Sequence, residues 1–165
     1  MAASIFQINV SLGGVPKYPI PEAVVTPLGL EGDRCAHPNI HGGPHQALLL
    51  ITKEAIDDLA ARGYAISPGS LGENLTTVGL DRKTLRSGQR YRLGQEVIIE
   101  LTKPRAPCGT LDLYGASLRN EVYDARVKAG DASSERWGIG GFYASVVQGG
   151  ELLPGAPVVL LDQMV

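Results

Sequence analysis

The chain has 165 residues and a formal net charge of −2; 44% of its residues are hydrophobic and 19% are charged. This length suits a single domain, residues 1–165, with a buried core, and the near-neutral charge gives no reason to expect a nucleic acid or a membrane surface as a partner. No apolar run is long enough to cross a bilayer and no signal peptide is recognisable, so we expect a cytoplasmic protein.

Strand-like patterns dominate the first third of the chain. Ser4–Leu12 alternates apolar and polar residues and ends at a Gly-Gly turn signal, which predicts a strand. A short β-branched run follows in "EAVVTPLGL", and Gln46–Thr52 is a continuous apolar run typical of a buried strand. Thr52–Gly63 then predicts a helix, with Thr52 as its N-cap and Gly63 as its terminator.

The segment "GDRCAHPNIHGGPHQALLL" carries all three histidines of the chain and one of its two cysteines. Thiolate and imidazole groups are zinc ligands, so one hypothesis is a zinc-binding or structural module. Its ligands would be Cys35, His37, His41 and His45. The prolines and glycines in the segment exclude a helix and predict a loop.

Two other interpretations of this loop stay open. It is either a solvated turn that happens to hold histidines, or a loop that binds an anion. In the second case Gly42 and Gly43 allow backbone N–H groups to approach a ligand closely. Arg34 and His41 would add charge-assisted hydrogen bonds to a phosphate.

The middle of the chain begins with a Gly-rich connector over residues 67–81, which holds Glu73 and Asn74. It is either a long surface turn or a recognition loop, because the Asn74 amide offers both a donor and an acceptor that suit the edge of a heterocycle such as a pterin. Alternating or apolar runs predict four further strands, with "GGELLPG" as a hairpin-type connector between the last two. These strands are Arg90–Leu93, Glu96–Lys103, Gly140–Gln148 and Ala156–Asp162.

A second helix is predicted over Ser117–Gly130, with Leu118, Val122 and Ala125 on one face and Gly130 as terminator. Many short strands, few helices and frequent Gly and Pro turns indicate a mainly β fold. We expect a compact β-barrel or sandwich with one or two accessory helices.

The second cysteine, Cys108, lies in "TKPRAPCGTLDLYG", directly after a predicted strand. The nearby cations Lys103 and Arg105 favour the thiolate, which is both the nucleophilic form and a soft metal ligand. The alternative is a buried cysteine that packs as a small apolar side chain.

The order of five motifs carries a resemblance over nearly the whole chain, from about Ile5 to Leu161. They are "GLEGDR", "HGGPHQALLL", "GENLTTVGLD", "LGQEVIIELTKPRAPC" and "LLPGAPVVLL". Together they resemble the MOSC domain, the C-terminal module of molybdenum-cofactor sulfurases that also occurs in stand-alone bacterial proteins and in amidoxime-reducing enzymes.

The resemblance implies a compact MOSC-type β-barrel that binds the molybdenum–pterin cofactor. Cys108 is then the catalytic residue and the expected molybdenum ligand, or the sulfur carrier in the sulfurase version. The residues expected to contact the cofactor are Arg34, His41, Gly42, Gly43, Glu73, Asn74, Lys103 and Arg105.

The resemblance also implies an activity. Enzymatic members reduce N-hydroxylated small molecules such as hydroxylaminopurines and amidoximes, with electrons delivered by a redox partner. A second hypothesis is a carrier that holds sulfur as a persulfide on Cys108 or delivers sulfurated cofactor to an acceptor protein. The zinc-binding module described above is the third.

Overall fold

A computed structural model describes residues 2–34 and 43–161. Its strands are β1 (Ser4–Val10), β2 (Tyr18–Ile20), β3 (Ala23–Thr26), β4 (Gly29–Leu30), β5 (Leu48–Thr52), β6 (Leu75–Val78), β7 (Arg90–Leu93), β8 (Val97–Pro104), β9 (Phe142–Gln148), β10 (Gly150–Leu152) and β11 (Val158–Leu160). Its α-helices are α1 (Lys53–Ala61), α2 (Leu118–Val122) and α3 (Ala125–Lys128). The prediction of a mainly β fold with a few helices is therefore confirmed. No helix in the described ranges is long and apolar enough to cross a membrane.

The strands form two sheets. The larger has the order β11-β7-β8-β9-β5-β6-β1-β2, and the smaller has the order β10-β3-β4. The pair β5 and β6 is parallel, while the other pairs are antiparallel. A parallel pair needs a long connection, and α1 provides it between β5 and β6.

Strand β5 lies in the middle of the larger sheet and is buried at every position. Successive side chains of a strand point to opposite faces. Leu48 and Leu50 accordingly pack in one apolar cluster, while Leu49 and Ile51 pack in a second cluster that includes the buried face of α1. Burial on both faces explains why this strand has a continuous apolar run instead of an alternating one.

The two ends of the larger sheet approach each other without closing it. Ile5 N donates to Ala156 O at 2.9 Å, and Val158 N donates to Ala3 O at 3.0 Å. One isolated bridge pairs Ser4 with Pro157. Because the described residues form no full ladder between β1 and β11, "barrel" describes this sheet only loosely.

The first predicted helix is confirmed as α1, and the Oγ1 atom of Thr52 caps it by accepting from Ala55 N at 3.2 Å. The prediction of one continuous helix over Ser117–Gly130 is wrong. Tyr123 has extended backbone, and Asp124 begins a new helix by accepting from Val127 N at 2.8 Å. The chain therefore breaks into α2 and α3.

This break also changes which side chains are buried. Leu118 and Val122 are buried as predicted, but Ala125 is exposed and Val127 takes the buried position in α3. The predicted apolar stripe assumed one helical phase, and the extended residues between α2 and α3 reset that phase.

Candidate functional site

A cleft opens where separate parts of the chain meet at one side of the larger sheet. It is lined mainly from five segments, which lie within residues 14–17, 28–34, 46–49, 72–74 and 105–110. Three of these segments contain residues that the sequence predicts as site candidates. The fold therefore brings Arg34, Asn74 and Arg105, which are far apart in the sequence, into one cleft.

Cys108 lines this cleft on the segment that follows β8. Arg105 N donates to Gly141 O at 2.9 Å, and Leu111 N donates to Cys108 O at 3.2 Å, so the backbone is held on both sides of the cysteine. The thiol is free and half-buried. Its Sγ atom lies 2.9 Å from Thr110 Oγ1.

The surroundings of Cys108 favour its thiolate form. Burial alone would raise the pKa of this thiol, but hydrogen bonds from the hydroxyl and backbone N–H of Thr110 and the positive charge of Arg105 lower the pKa below its ordinary value. A thiolate is the form that binds soft metals and attacks electrophiles. The cleft therefore contains one side chain prepared for either kind of chemistry.

The two cations near Cys108 in the sequence are separated in the structure. Arg105 is only 7% exposed, lines the cleft, and donates from Nη1 to Leu71 O at 2.7 Å. Lys103 is exposed outside the cleft lining, with its Nζ atom 5.9 Å from the centre of the Tyr143 ring. Of these two cations, Arg105 is the one whose charge contributes to lowering the pKa of the thiol.

A second polar cluster in the cleft centres on Asp33. Its Oδ1 atom accepts from Lys17 Nζ at 2.6 Å and from Ser11 N at 2.9 Å, while Oδ2 accepts from Asn74 Nδ2 at 2.8 Å. The side chains of Lys17 and Asp33 are only 9% and 15% exposed. Sequence reasoning did not select either residue, although "GLEGDR" contains Asp33 and its place in an ordered motif was a usable signal.

Asn74 lines the cleft, but its amide is already hydrogen-bonded within the protein. Besides the bond to Asp33, its Oδ1 atom accepts from Leu49 N at 3.1 Å and Nδ2 donates to Asn9 O at 3.4 Å. The side chain is 4% exposed. The Asn74 side chain thus hydrogen-bonds to two other segments of the cleft wall, at Asp33 and Leu49, and to β1 at Asn9.

Glu73 is fully buried next to this wall. Its Oε2 atom accepts from Gly69 N at 3.0 Å and from Thr76 Oγ1 at 3.1 Å, and within the described residues its Oε1 atom has no hydrogen-bonding partner. Burial is the main cause that raises the pKa of Glu73 to about 7, while these hydrogen bonds and the charge of Arg105 partly oppose it. Gly72 and Asn74, on either side of Glu73 in the sequence, line the cleft, so Glu73 lies behind the cleft wall in the protein interior.

The histidine-containing loop is described only in part. Cys35, His37, His41 and Gly42 lie outside the described residues, and Arg34 is exposed at the edge of the cleft. Among the residues that are described, no group of three or more His, Cys, Asp or Glu side chains is placed to hold a metal ion.

The far end of that loop enters a short 3-10 turn over Pro44–Gln46. Gly43 is exposed with a φ of 89°, and an added Cβ atom there would meet no atom of residues 2–34 or 43–161 within 4 Å. His45 is exposed, and its backbone oxygen accepts from Thr102 Oγ1 at 2.7 Å.

Comparisons with known proteins agree with this architecture. The chain is 34% identical over 97 residues to protein YiiM of Escherichia coli (strain K12), covering 56% of this chain and 43% of that protein. It is 30% identical over 154 residues to YflK of Bacillus subtilis (strain 168), covering 91% of this chain and 64% of that protein. The chain thus spans less than two thirds of the length of either relative.

Among solved structures, YiiM from Geobacillus stearothermophilus superposes with a TM-score of 0.71 at 25% identity, covering 97% of this chain and 75% of that one. The family model of the MOSC domain matches residues 37–159, which contain β5 through β10, most of β11, and Cys108. The chain therefore belongs to the MOSC domain family.

Proposed function

We propose that this protein binds the molybdenum–pterin cofactor in the cleft and reduces N-hydroxylated small molecules there, with Cys108 as the metal ligand. The observation that carries the proposal is the half-buried thiol of Cys108, whose pKa is lowered by Thr110 and Arg105 at the wall of the cleft. Membership of a family associated with molybdenum-cofactor proteins supports it.

The chemistry of the cleft fits such a cofactor. A thiolate is a suitable ligand for a soft metal, and an anionic pterin phosphate needs positive charge nearby. Lys17 is already paired with Asp33 at 2.6 Å, so among the described lining residues Arg34 and Arg105 supply the remaining positive charge. Gly72 lets the backbone of the cleft wall pass close to Val15, because an added Cβ atom would lie 2.9 Å from Val15 Cγ1.

The bound cofactor would supply the two-electron redox chemistry of the reduction. Overall, R–NHOH takes up two electrons and two protons to give R–NH2 and water, and an electron-transfer partner provides the electrons. Cys108 would hold the metal at a fixed place, and Thr110 and Arg105 would keep its sulfur in the thiolate form.

The other candidate residues have different parts in this proposal. His41, Gly42 and Gly43 keep the role that the family resemblance implies for them, contact with the cofactor. Glu73 and Asn74, expected from the sequence to contact the cofactor, would instead support the cleft wall, because both are buried and hydrogen-bonded to the protein.

The exposed Lys103 and the free thiol of Cys108 bear on the partner protein and the cellular compartment of the proposed reaction. Lys103 would act at the surface, where an approaching partner protein meets exposed charge. A free thiolate persists in a reducing compartment, so the proposal places the reaction in the cytoplasm, without nucleic acid or membrane.

The test is elemental analysis combined with pterin fluorescence on protein purified from a molybdenum-replete host. We expect molybdenum and pterin in the wild type and loss of molybdenum in Cys108→Ser. Cys35→Ser is the matched control, because it removes the other cysteine of the chain, and it should keep the metal. Wild-type protein that neither carries the cofactor nor binds it when it is added would refute the proposal.

The same thiolate supports a second candidate, a sulfur carrier. A nucleophilic thiolate such as that of Cys108 attacks the outer sulfur of a persulfide donor and breaks the donor's S–S bond, so that Cys108 keeps this sulfur as a persulfide and the donor leaves as a thiolate. Intact-mass measurement distinguishes the two functions: a carrier shows one additional sulfur that disappears on reduction and is absent from Cys108→Ser.

A further inference from the structure

The mouth of the cleft has an exposed leucine in a fixed position. Leu28 is 79% exposed and lines the cleft, in the two-residue turn that joins β3 to β4. An isolated exposed leucine is common on protein surfaces and needs no explanation. This one is informative because of where it lies and how its backbone is held.

The turn that carries Leu28 is held from two sides. Thr26 Oγ1 donates to Gly29 O at 2.9 Å and accepts from Leu28 N at 3.2 Å. Gly29 has a φ of 119°, and a Cβ atom added there would lie 2.5 Å from Ala47 O, so the turn lies directly against the start of β5. Leu28 is therefore presented by rigid backbone, which lowers the entropy cost of packing a ligand against it.

Leu28 also continues an apolar part of the cleft wall. Leu30, Ala47 and Leu49 line the cleft and are 5%, 8% and 6% exposed. Leu30 belongs to β4, directly after the β3–β4 turn, while Ala47 precedes β5, against which that turn packs, and Leu49 belongs to β5. The charged lining comes from Lys17, Asp33, Arg34 and Arg105, and Cys108 contributes the thiol. The cleft thus combines a polar part, which contains the candidate metal ligand, with an apolar part that reaches the surface at Leu28.

We propose that Leu28 is a specificity-determining residue and that the preferred substrates carry their N-hydroxylated group on an apolar aryl or alkyl body, which packs against Leu28 and the apolar wall behind it. This inference rests on the proposed function for the reacting group, but the contact with Leu28 is a binding property that exists without turnover. A small N-hydroxylated compound such as acetamidoxime would gain little from Leu28, because its single methyl group offers little apolar surface to bury.

The experiment compares benzamidoxime with acetamidoxime, which share the reacting group and differ in the apolar body. Dissociation constants are measured on purified holoprotein without an electron donor, so that no reduction takes place, and turnover is measured separately with a donor. We expect Leu28→Ser to weaken benzamidoxime binding about tenfold, equal to about 1.4 kcal/mol, and to leave acetamidoxime nearly unchanged. Leu28→Met keeps an apolar side chain and should retain most of the preference.

The matched control is Leu160→Ser, which removes another exposed leucine, 53% exposed on β11 and outside the cleft lining. It should change neither dissociation constant. A benzamidoxime preference that is absent in the wild type, unchanged in Leu28→Ser, or equally reduced in Leu160→Ser overturns the inference. A Leu28-dependent preference without any turnover supports the contact and refutes the proposed reduction, whereas turnover with a Leu28-independent preference refutes the contact alone.

Discussion

Replacing Glu73 by glutamine tests how the buried carboxyl beside the cleft affects stability. Glu73 is fully buried, and its Oε2 atom accepts hydrogen bonds from Gly69 N and Thr76 Oγ1. The amide oxygen of glutamine can accept the same two bonds, so the variant mainly removes the ability to ionise. We expect Glu73→Gln to change how stability depends on pH.

The magnitude follows from the shifted pKa of Glu73, which burial raises from 4.5 to about 7. Between these values the folded carboxyl binds more protons than the unfolded one, so the free energy of unfolding falls as pH rises from 4.5 to 7 and levels off above 7. At about 1.36 kcal/mol per pH unit, the shift corresponds to about 3 kcal/mol of stability lost above pH 7. Glutamine carries no charge and avoids this loss.

The assay is urea unfolding of wild type and variant at several pH values from about 5 to about 8. The stability of Glu73→Gln relative to wild type should rise by about 2 to 3 kcal/mol across this range. Glu135→Gln, which neutralises an exposed carboxyl, is the control and should follow the wild type closely. If the curves of wild type and Glu73→Gln run parallel, Glu73 does not ionise with a raised pKa and the reasoning fails.

Three further substitutions test single contacts. Thr110→Val removes a hydrogen bond that lowers the pKa of Cys108, so alkylation of this thiol near neutral pH should slow; an unchanged pH profile would contradict the role of Thr110. Asp33→Ala leaves the largely buried ammonium of Lys17 without its carboxylate and should lower the free energy of unfolding by about 3 kcal/mol; a loss below about 1 kcal/mol would mean that the pair is solvent-screened. Thr52→Ala removes the N-cap of α1 and should lower the free energy of unfolding in urea by about 1 kcal/mol. Thr52→Ser keeps a hydroxyl that can cap the helix, so it should retain most of the wild-type stability.

Strands with a clear hydrophobic pattern could be located from the sequence. β7 was predicted at Arg90–Leu93, where the structure has it, because its residues alternate between exposed and buried. β6 was predicted as part of a Gly-rich connector, because its buried residues include Thr76 and Thr77. Their burial depends on partners distant in sequence, such as the main chain of β1, and a local pattern cannot indicate such partners.

In the candidate site too, interactions between residues close in the sequence could be predicted, whereas contacts between distant segments could not. Arg105 and Cys108 are three residues apart, so their electrostatic coupling was predictable from the sequence. Lys103 is almost as near but lies outside the cleft lining, which the spacing alone does not reveal. The pair of Lys17 with Asp33 depends on two loops that meet only in the folded protein, so the sequence did not predict it, although the ordered motif "GLEGDR" contains Asp33.

The bridge between Ser4 and Pro157 has a consequence for how the protein is made. These two residues are far apart in the sequence, so a ribosome has synthesised every strand from β1 to β10 before β1 can bond to the segment that enters β11. Pairings so distant in sequence raise the contact order and slow folding. Until that segment emerges, the first strand keeps an edge with unpaired N–H and C=O groups, and this edge is where a nascent chain would associate with its neighbours or require a chaperone.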